Sequence, residues 1–304
     1  MSEETRNELS EFMKQSGKSQ KQISKETGFS PAVINQYLKD VYKGDIEKVT
    51  ETISRYLQIG RERMSTASGA EFYRELYNTK EVFFACRYAH RNNEMALVCG
   101  DAGAGKTTAL NRYSMENTGV IFVTANACIT SPTAILELIY REIGEKQIPS
   151  KRAALMNALV EKLTGTNRLI IIDEADHLTL NALQAVRNLN DKAGVGIVFS
   201  GNDKIYRQML SPRRGYEFDQ LRTRIPLIKK VVNDYSVIEM EKMFPSVNQD
   251  CISFLLKLAD SESLRTADKL FSRAKELAKA RAEPFLIKHL KTIQEQFLGK
   301  VITI

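Results

Sequence analysis

A glycine-rich segment directly after a short apolar run constrains this chain more than any other feature. Residues 100–107 read Gly-Asp-Ala-Gly-Ala-Gly-Lys-Thr and fit the pattern GxxxxGK[ST]. The apolar run Met95–Cys99 precedes the segment, and a helical pattern opens at Thr107. A strand, a glycine loop and a helix in this order bind phosphate, because backbone N–H groups and the helix N-terminus face the anion. The sequence therefore predicts a P-loop.

The P-loop assigns roles to two side chains. We expect Lys106 to reach the β- and γ-phosphates of ATP and the Thr107 hydroxyl to bind Mg²⁺. The predicted contacts to the nucleotide come from nine consecutive residues, namely Gly100, Asp101, Ala102, Gly103, Ala104, Gly105, Lys106, Thr107 and Thr108.

Acidic and polar residues follow two further apolar runs. Asp173 and Glu174 come directly after Leu169–Ile172, and Asn202 follows the run that ends at Ser200. We expect Asp173 to hold Mg²⁺ through water beside the P-loop, and Glu174 to orient and deprotonate the attacking water. Asn202 is predicted to touch the γ-phosphate or to hold that water.

The middle of the chain alternates strand and helix patterns, which predicts an α/β fold. Buried strands separated by helices indicate a parallel sheet that helices cover on both faces. The predicted strands are Met95–Cys99, Val120–Thr124, Leu169–Ile172, Gly196–Ser200 and Ile225–Lys229, and helical patterns include 132–143 and 153–163. Beyond about residue 233 only helical periodicity remains. The sequence therefore predicts an N-terminal helical domain over 1–59, a linker over 60–70, a nucleotide-binding α/β core over 71–232 and a helical C-terminal domain over 233–304.

The N-terminal residues 20–39 match a helix-turn-helix pattern. Gln20–Thr27 is predicted to form the first helix, Gly28 the turn, and Ser30–Lys39 the second helix, which Ser30 caps. The residues predicted to face the core are Ile23, Phe29, Val33, Ile34 and Leu38, and those predicted to face a DNA groove are Ala32, Asn35 and Gln36. Small three-helix units that bind protein have the same pattern, so both readings remain open.

Charge and cysteine content indicate which kind of partner the chain binds and in which cellular compartment it works. The net charge is +7, and residues 61–230 hold 24 basic against 18 acidic residues, whereas residues 1–60 are balanced. This excess favours polyanionic partners. The four cysteines form no CxxC pair, which argues against a zinc site and indicates reduced thiols in a cytoplasm. The short apolar runs predict no membrane-spanning helix and no secretory signal.

Five motifs occur in the order found in AAA+ ATPases: GDAGAGKT, LIIIDEAD, VFSGN, LRTRI and ESLRTADKL. Within that class the chain resembles, over nearly all its length, the B transposition proteins of Mu-type phages. The narrower likeness includes the segment 22–34 and the run Ile172–Leu178. The resemblance implies a parallel-sheet AAA+ core, preceded by a small all-α helix-turn-helix domain and followed by a small all-α domain.

The resemblance also implies a function. Such a protein binds ATP and Mg²⁺, polymerises as a helical filament on double-stranded target DNA, delivers that DNA to a transposase, and is displaced when ATP is hydrolysed. It would be encoded by a prophage or mobile element and act in the bacterial cytoplasm. Two rival hypotheses share the nucleotide site: a helicase-loader-type replication ATPase, and a helix-turn-helix transcription regulator controlled by ATP.

Residue roles follow from the same resemblance. Arg224 matches the arginine finger that acts on a neighbouring subunit better than Arg222 does, although the residues alone leave the two open. Arg265 matches the second sensor and Asn202 the first, so the expected catalytic set is Lys106, Glu174, Asn202, Arg224 and Arg265. Asn35 and Gln36 are expected to face a DNA groove. The other expected DNA contacts would hold phosphate without reading bases, and they are Lys146, Lys151, Arg152, Arg187, Arg213 and Arg214.

Overall fold

The structure is a computed structural model that describes residues 2–16, 18–66, 73–210 and 215–298. The chain divides into two compact units, residues 1–69 and residues 70–304. The first unit contains helices α1 (Ser2–Ser16), α2 (Gln20–Thr27), α3 (Pro31–Leu38) and α4 (Ile46–Thr66).

The two short helices predicted within residues 20–39 are both present in the first unit. Ser19 caps α2 in a reciprocal arrangement with Gln22, and Gly28 ends that helix in the left-handed conformation (φ 78°). The Ser30 hydroxyl accepts a hydrogen bond from Val33 N–H, and Pro31 occupies the first turn of α3. These caps stop and restart the helix over three residues, as the sequence predicts.

The core of this unit differs slightly from the prediction. Ile23 and Ile34 are fully buried, but Phe29, Val33 and Leu38 are half-buried at its edge. Tyr37, which the pattern did not predict, is buried, and its hydroxyl lies 2.9 Å from Thr50 Oγ1. Burial of an aromatic ring with a satisfied hydroxyl is favourable.

Helix α4 extends to Thr66, into the segment 60–70 that composition predicts to be a linker. The sequence Arg61-Glu62-Arg63-Met64 consists of good helix formers, so the helix continues where small polar residues were expected to end it.

The second unit is built on a parallel sheet of five strands in the described residues, in the order β2-β3-β4-β1-β5. The strands are β1 (Met95–Gly100), β2 (Val120–Thr124), β3 (Leu169–Asp173), β4 (Gly196–Gly201) and β5 (Leu227–Val231). The helices are α5 (Tyr77–Asn92), α6 (Lys106–Glu116), α7 (Pro132–Glu142), α8 (Arg152–Leu163), α9 (Leu180–Ala193), α10 (Asp203–Leu210), α11 (Gly215–Arg222), α12 (Val237–Met243), α13 (Gln249–Ser261), α14 (Leu264–Ala280) and α15 (Ile287–Leu298).

Alternating side chains of the central strands fill two apolar layers. Ile170 and Ile172 of β3 pack in the layer shared with α7, α8 and α9. Ile171, between them, packs in the layer shared with α5 and α6. Strands β1, β3 and β4 are buried at every residue. The predicted α/β class with helices on both faces is therefore confirmed.

The fifth strand begins two residues later than predicted. The backbone N–H groups of Arg224 and Ile225 donate to the carbonyls of Leu221 and Arg222, which prolongs the turn after α11. Pro226 has no N–H to give to a strand ladder, so pairing with β1 starts only at Leu227.

Helices α12 to α15 enclose an apolar core of their own. Its buried members include Phe244, Leu255, Phe271 and Leu290, and Leu76 from before α5 also belongs to it. The helical periodicity predicted beyond residue 233 is confirmed. Among the described residues, no helix combines the length and the apolar character needed to cross a membrane.

Candidate nucleotide-binding site

The sheet order brings the predicted site residues to one edge. Strands β3, β4 and β1 are adjacent and parallel, so the residues after their carboxyl ends share one crevice. The P-loop follows β1, Asp173 ends β3, and Asn202 follows β4. Long-range topology thus assembles three segments that are far apart in sequence.

The P-loop begins at a glycine that has no room for a side chain. Gly100 has φ 135°, and a Cβ atom there would lie 1.8 Å from the carbonyl oxygen of Val231 in the neighbouring strand β5. The loop then turns into α6 at Lys106, whose first turn presents backbone N–H groups to an anion.

The first turn of α14 packs against the middle of the P-loop. The N–H of Arg265 donates to the carbonyl oxygen of Gly103 over 3.2 Å. Gly103 has φ 75°, and a Cβ atom there would lie 2.6 Å from Cβ of Ser263. A glycine is required at this position both by the backbone conformation and by the approach of α14.

The Lys106 ammonium lies within the loop. Its Nζ donates to the carbonyl oxygens of Gly100 at 2.9 Å and Asp101 at 2.7 Å. Burial lowers the pKa of Lys106, and the nearby carboxylates of Asp173 and Asp101 oppose that shift. The two carbonyl dipoles compensate the positive charge of Lys106 only in part. A phosphate bound in the loop would supply a full negative charge beside it.

Asp173 is held by three hydrogen-bond donors. It is 2% exposed, and its Oδ2 accepts from the Thr107 hydroxyl at 2.7 Å. Its Oδ1 accepts from the Ser200 hydroxyl at 2.8 Å and from the Glu174 N–H at 3.0 Å. Ser200 was not predicted as a site residue, although a lone hydroxyl in the apolar strand β4 was a signal that could have identified it. Buried charges need such partners.

The oxygen ligands fit Mg²⁺. Among the described residues, no three His, Cys, Asp or Glu side chains form a cluster that could hold a metal. Mg²⁺ needs no such cluster, because it is usually held by one or two protein oxygens, by substrate phosphates and by water. The adjacent oxygens of Thr107 and Asp173 are of this kind.

Glu174 lines the crevice with a half-exposed side chain. The residue adopts φ 56°, a left-handed conformation that is uncommon for glutamate and often found at functional sites. Its Oε2 lies 3.7 Å from Nε2 of His177. Glu174 is therefore placed beside Asp173, open to water.

Asn202 is fixed by an acid that the sequence did not single out. Asp176 accepts the Asn202 backbone N–H at 3.1 Å and its side-chain Nδ2 at 2.7 Å. A Cβ atom at Gly201 would lie 2.6 Å from Oδ1 of Asp176, so the intervening glycine permits this approach. Asp176 is the third acidic residue of the run Asp173–Asp176, and that position was the signal that could have identified it.

A pocket of about 300 Å³ encloses these groups. Of the predicted catalytic and metal-binding residues it brings together Lys106, Thr107, Asp173, Glu174, Asn202 and Arg265. Further lining residues that were not predicted are Tyr73, Leu76, Thr79, Asp176, Leu264 and Asp268. Gly100 and Asp101 do not line the pocket, and their carbonyls instead hold Lys106.

Neither finger candidate lines the pocket of its own subunit. Arg224 Nε lies 3.3 Å from Oδ1 of Asp191 in α9. Arg222 pairs with Asp219 over 2.9 Å within α11. The role of Arg224 toward a neighbouring subunit remains a prediction.

The candidate DNA contacts of the second unit fall into two groups. Lys146, Lys151 and Arg152 are exposed between α7 and the start of α8. Arg187 is less accessible, because its side chain is only 17% exposed and pairs with Asp191, and its contact with DNA stays a prediction. Arg213 and Arg214 lie outside the described residues.

In the first unit, the two predicted groove residues differ in exposure. Gln36 on α3 is exposed, whereas Asn35 is half-buried. The face of α3 available to a partner therefore centres on Gln36 and Ala32.

The fold and the site together define a P-loop nucleotide-binding protein of the AAA class. In agreement, residues 89–209 match the AAA domain family. Two solved structures share the fold: Cdc6p from Pyrobaculum aerophilum (TM-score 0.57, 15% identity, covering 76% of this chain and 70% of that chain) and Drosophila ORC bound to DNA (TM-score 0.52, 14% identity, covering 77% and 62%).

The sequence comparison is more specific. The Mu-like prophage FluMu DNA transposition protein B of Haemophilus influenzae is 32% identical over 222 residues, which cover 72% of this chain and 77% of that protein. The ATP-dependent target DNA activators B of Escherichia phages Mu and D108 are each 33% identical over 205 residues, which cover 67% of this chain and 65% of theirs. This chain belongs to the family of Mu-like phage transposition B proteins.

Proposed function

We propose that this chain is an ATP-dependent activator of target DNA for transposition. ATP binding assembles it as a filament on double-stranded DNA, the filament presents that DNA to a transposase in the bacterial cytoplasm, and hydrolysis disassembles it. The hydrogen bond between Thr107 and Asp173 carries the proposal, because it joins the two halves of an ATP and Mg²⁺ site in a chain of this family.

The chemistry assigned to the site is attack of water on the γ-phosphorus of ATP. Lys106 and the P-loop N–H groups bind the phosphates, and Glu174 accepts a proton from the water as its oxygen bonds to phosphorus. The bond from the γ-phosphorus to the β-phosphate oxygen breaks and ADP leaves. Asn202 positions the water. Thr107 and Asp173 would hold Mg²⁺, which neutralises phosphate charge when bound.

Assembly would control this reaction. Arg224 lies outside the pocket of its own subunit, which supports a role on the triphosphate of a neighbour. An arginine supplied to the transferring phosphoryl group accelerates such reactions by about 10³–10⁵. An isolated subunit would therefore hydrolyse ATP slowly.

The proposed DNA contacts are phosphate contacts. The exposure of Lys146, Lys151 and Arg152 on one connecting segment supports binding that tolerates any sequence and weakens with salt. The exposed Gln36 face of α3 provides a second surface for DNA or protein.

Negative-stain imaging with ATP, Mg²⁺ and random duplex DNA tests the proposal. We expect continuous coverage that spreads with protein concentration, loss of coverage in Lys106→Ala, and normal coverage in Lys257→Ala, a control at an exposed lysine of α13. Equal coverage by Lys106→Ala would overturn the proposal. A short footprint at one sequence would instead favour the transcription regulator, and capture of a helicase without coverage would favour the loader.

A further inference from the structure

We propose that Asp191 is a positioning residue for Arg224, orienting its guanidinium toward the ATP of a neighbouring subunit. The inference rests on the proposed function, because it takes Arg224 as the arginine finger. Its basis is a charged triad formed by Arg187, Asp191 and Arg224 at one end of α9.

The carboxylate of Asp191 divides its two oxygens between two arginines. Oδ1 lies 3.3 Å from Nε of Arg224, and Oδ2 lies 3.8 Å from Nε of Arg187. The helix that carries Asp191 is rigidly packed, since Leu189 and Ala193 on the same turns are buried in the core. The carboxylate is therefore attached to a fixed part of the fold.

Arg187 anchors the acid from one helical turn earlier. Its Nε is buried and makes no hydrogen bond within the described residues, while Nη2 donates to Asn188 at 3.2 Å. A buried guanidinium nitrogen needs a compensating charge, and Oδ2 of Asp191 provides it. The pairing compensates the charge of this largely buried side chain, and it gives Arg187 a role in holding Asp191.

The backbone of Arg224 is also attached to the fold. Its N–H donates to the Leu221 carbonyl at 3.0 Å, and the side chains of Leu221 and Ile225 on either side are buried. The Arg224 side chain is 57% exposed, and its ion pair with Asp191 sets the direction of its guanidinium. Asp191 contacts it at Nε, near the base of the guanidinium, which leaves both terminal nitrogens for phosphate.

The ion pair matters through orientation and not through stability. An exposed pair adds little to the free energy of folding, because water screens it. A finger, however, must present its nitrogens in one geometry before the neighbour's phosphate arrives, since misplacement of a catalytic group by about 1 Å can cost about 10²-fold in rate.

The neighbouring pair provides a matched control. Arg222 and Asp219 form an ion pair of 2.9 Å with side chains 46% and 49% exposed, in the same helix-and-turn segment as Arg224. Removing Asp219 deletes the same charge without touching Arg224.

The first test measures ATP hydrolysis in the presence of duplex DNA, on which the subunits are proposed to assemble. We expect Asp191→Ala to lower kcat by about tenfold or more with unchanged ATP affinity, and Asp191→Glu to recover part of the loss. Asp219→Ala is expected to stay within about twofold of wild type. Wild-type kcat in Asp191→Ala, or a larger loss in Asp219→Ala, would overturn the inference.

A second experiment mixes two variants. It distinguishes a loss of Arg224 orientation from damage to the nucleotide pocket of the Asp191→Ala subunit itself. Glu174→Gln subunits keep Arg224 but lack the general base, so they supply a finger to neighbours without hydrolysing ATP themselves. Mixed with them, Arg224→Ala and Asp191→Ala should both regain hydrolysis. If Arg224→Ala is rescued and Asp191→Ala is not, the Asp191 variant has a defect in its own pocket, and the inference about Asp191 is overturned. If Arg224→Ala without added subunits hydrolyses ATP as fast as wild type, Arg224 is not the finger, and the inference about Asp191 is overturned with it.

Discussion

The backbone N–H of Arg265 is bonded to the carbonyl oxygen of Gly103 over 3.2 Å. This contact attaches the first turn of α14 to the P-loop, and Ser263 fills the space that a side chain at position 103 would need. The nucleotide site therefore depends on the helical C-terminal segment as well as on the sheet.

Gly103→Ala tests that dependence. The new Cβ would meet Ser263 in a backbone conformation that alanine disfavours, so we expect a loss of about 1–3 kcal/mol in unfolding free energy and loss of ATP binding. Gly194→Ala is the control, because φ is 63° there and nothing lies within 4 Å of the added atom. Urea unfolding measures both variants. Equal losses in the two would show that contact with α14 is unimportant.

Thr107→Val removes a hydroxyl and keeps the shape of the side chain. We expect Mg²⁺-dependent ATP affinity to disappear, and stability to fall by about 1–3 kcal/mol because Asp173 loses a donor in a buried position. Thr107→Ser keeps the hydroxyl and should retain both properties. Titration of a fluorescent ATP analogue with and without Mg²⁺ provides the measurement, and Mg²⁺-dependent binding by the valine variant would contradict the assignment.

Ser200→Ala removes a donor on the other oxygen of Asp173. The expected result is a higher Mg²⁺ concentration for half-maximal ATP binding and a stability loss of about 1–3 kcal/mol. Ser114→Ala is the control, because it removes the hydroxyl of a half-buried serine that donates to the carbonyl oxygen of Asn111, away from Asp173. An unchanged Mg²⁺ requirement would restrict Ser200 to a structural role.

Lys106 should make ATP affinity depend on alkaline pH. Burial lowers the pKa of Lys106 below its usual 10.5, so the free protein loses this charge at a lower pH than an ordinary lysine. Bound phosphates favour the protonated form, and ATP binding therefore takes up a proton above that lowered pKa and weakens as pH rises. The Lys106→Arg variant stays charged, and its weaker binding should not change over the same range. Parallel pH profiles for the two proteins would refute this.

Lys151→Ala combined with Arg152→Ala tests the phosphate contacts. We expect weaker binding to every duplex and a salt dependence shallower by about 0.9 in log–log slope per lost contact. Lys242→Ala combined with Lys257→Ala removes the same charge from exposed sites in α12 and α13. Filter binding across a salt series compares the two double variants. If the slopes of their salt dependence are identical, Lys151 and Arg152 do not contact DNA.

Sequence patterns predicted those parts of the nucleotide site that lie directly after a buried strand. The P-loop, Asp173 and Asn202 each follow a buried strand, and parallel topology necessarily brings such residues to one edge of the sheet. The strand boundaries also follow from apolar runs, except at β5, where Pro226 and the turn bonds of Arg224 delay the ladder.

Other parts depend on contacts between segments that are distant in sequence. Thr79 and Asp268 line the pocket because α5 and α14 approach the P-loop, and no spacing in the sequence encodes that approach. The partial burial of Arg187 was not predicted, because the sequence shows the charge of a residue and not its surroundings. The pairing of Asp191 with Arg224 likewise becomes apparent only when α9 and the turn after α11 lie side by side.

The attachment of Gly103 to Arg265 has a consequence for biosynthesis. The two residues are joined by a hydrogen bond although most of the sheet is encoded between them. A nascent chain on the ribosome can pair its strands before α14 has emerged, but its P-loop lacks this partner until residue 265 has been synthesised. The site is thus completed only after the sheet that supports it has been synthesised.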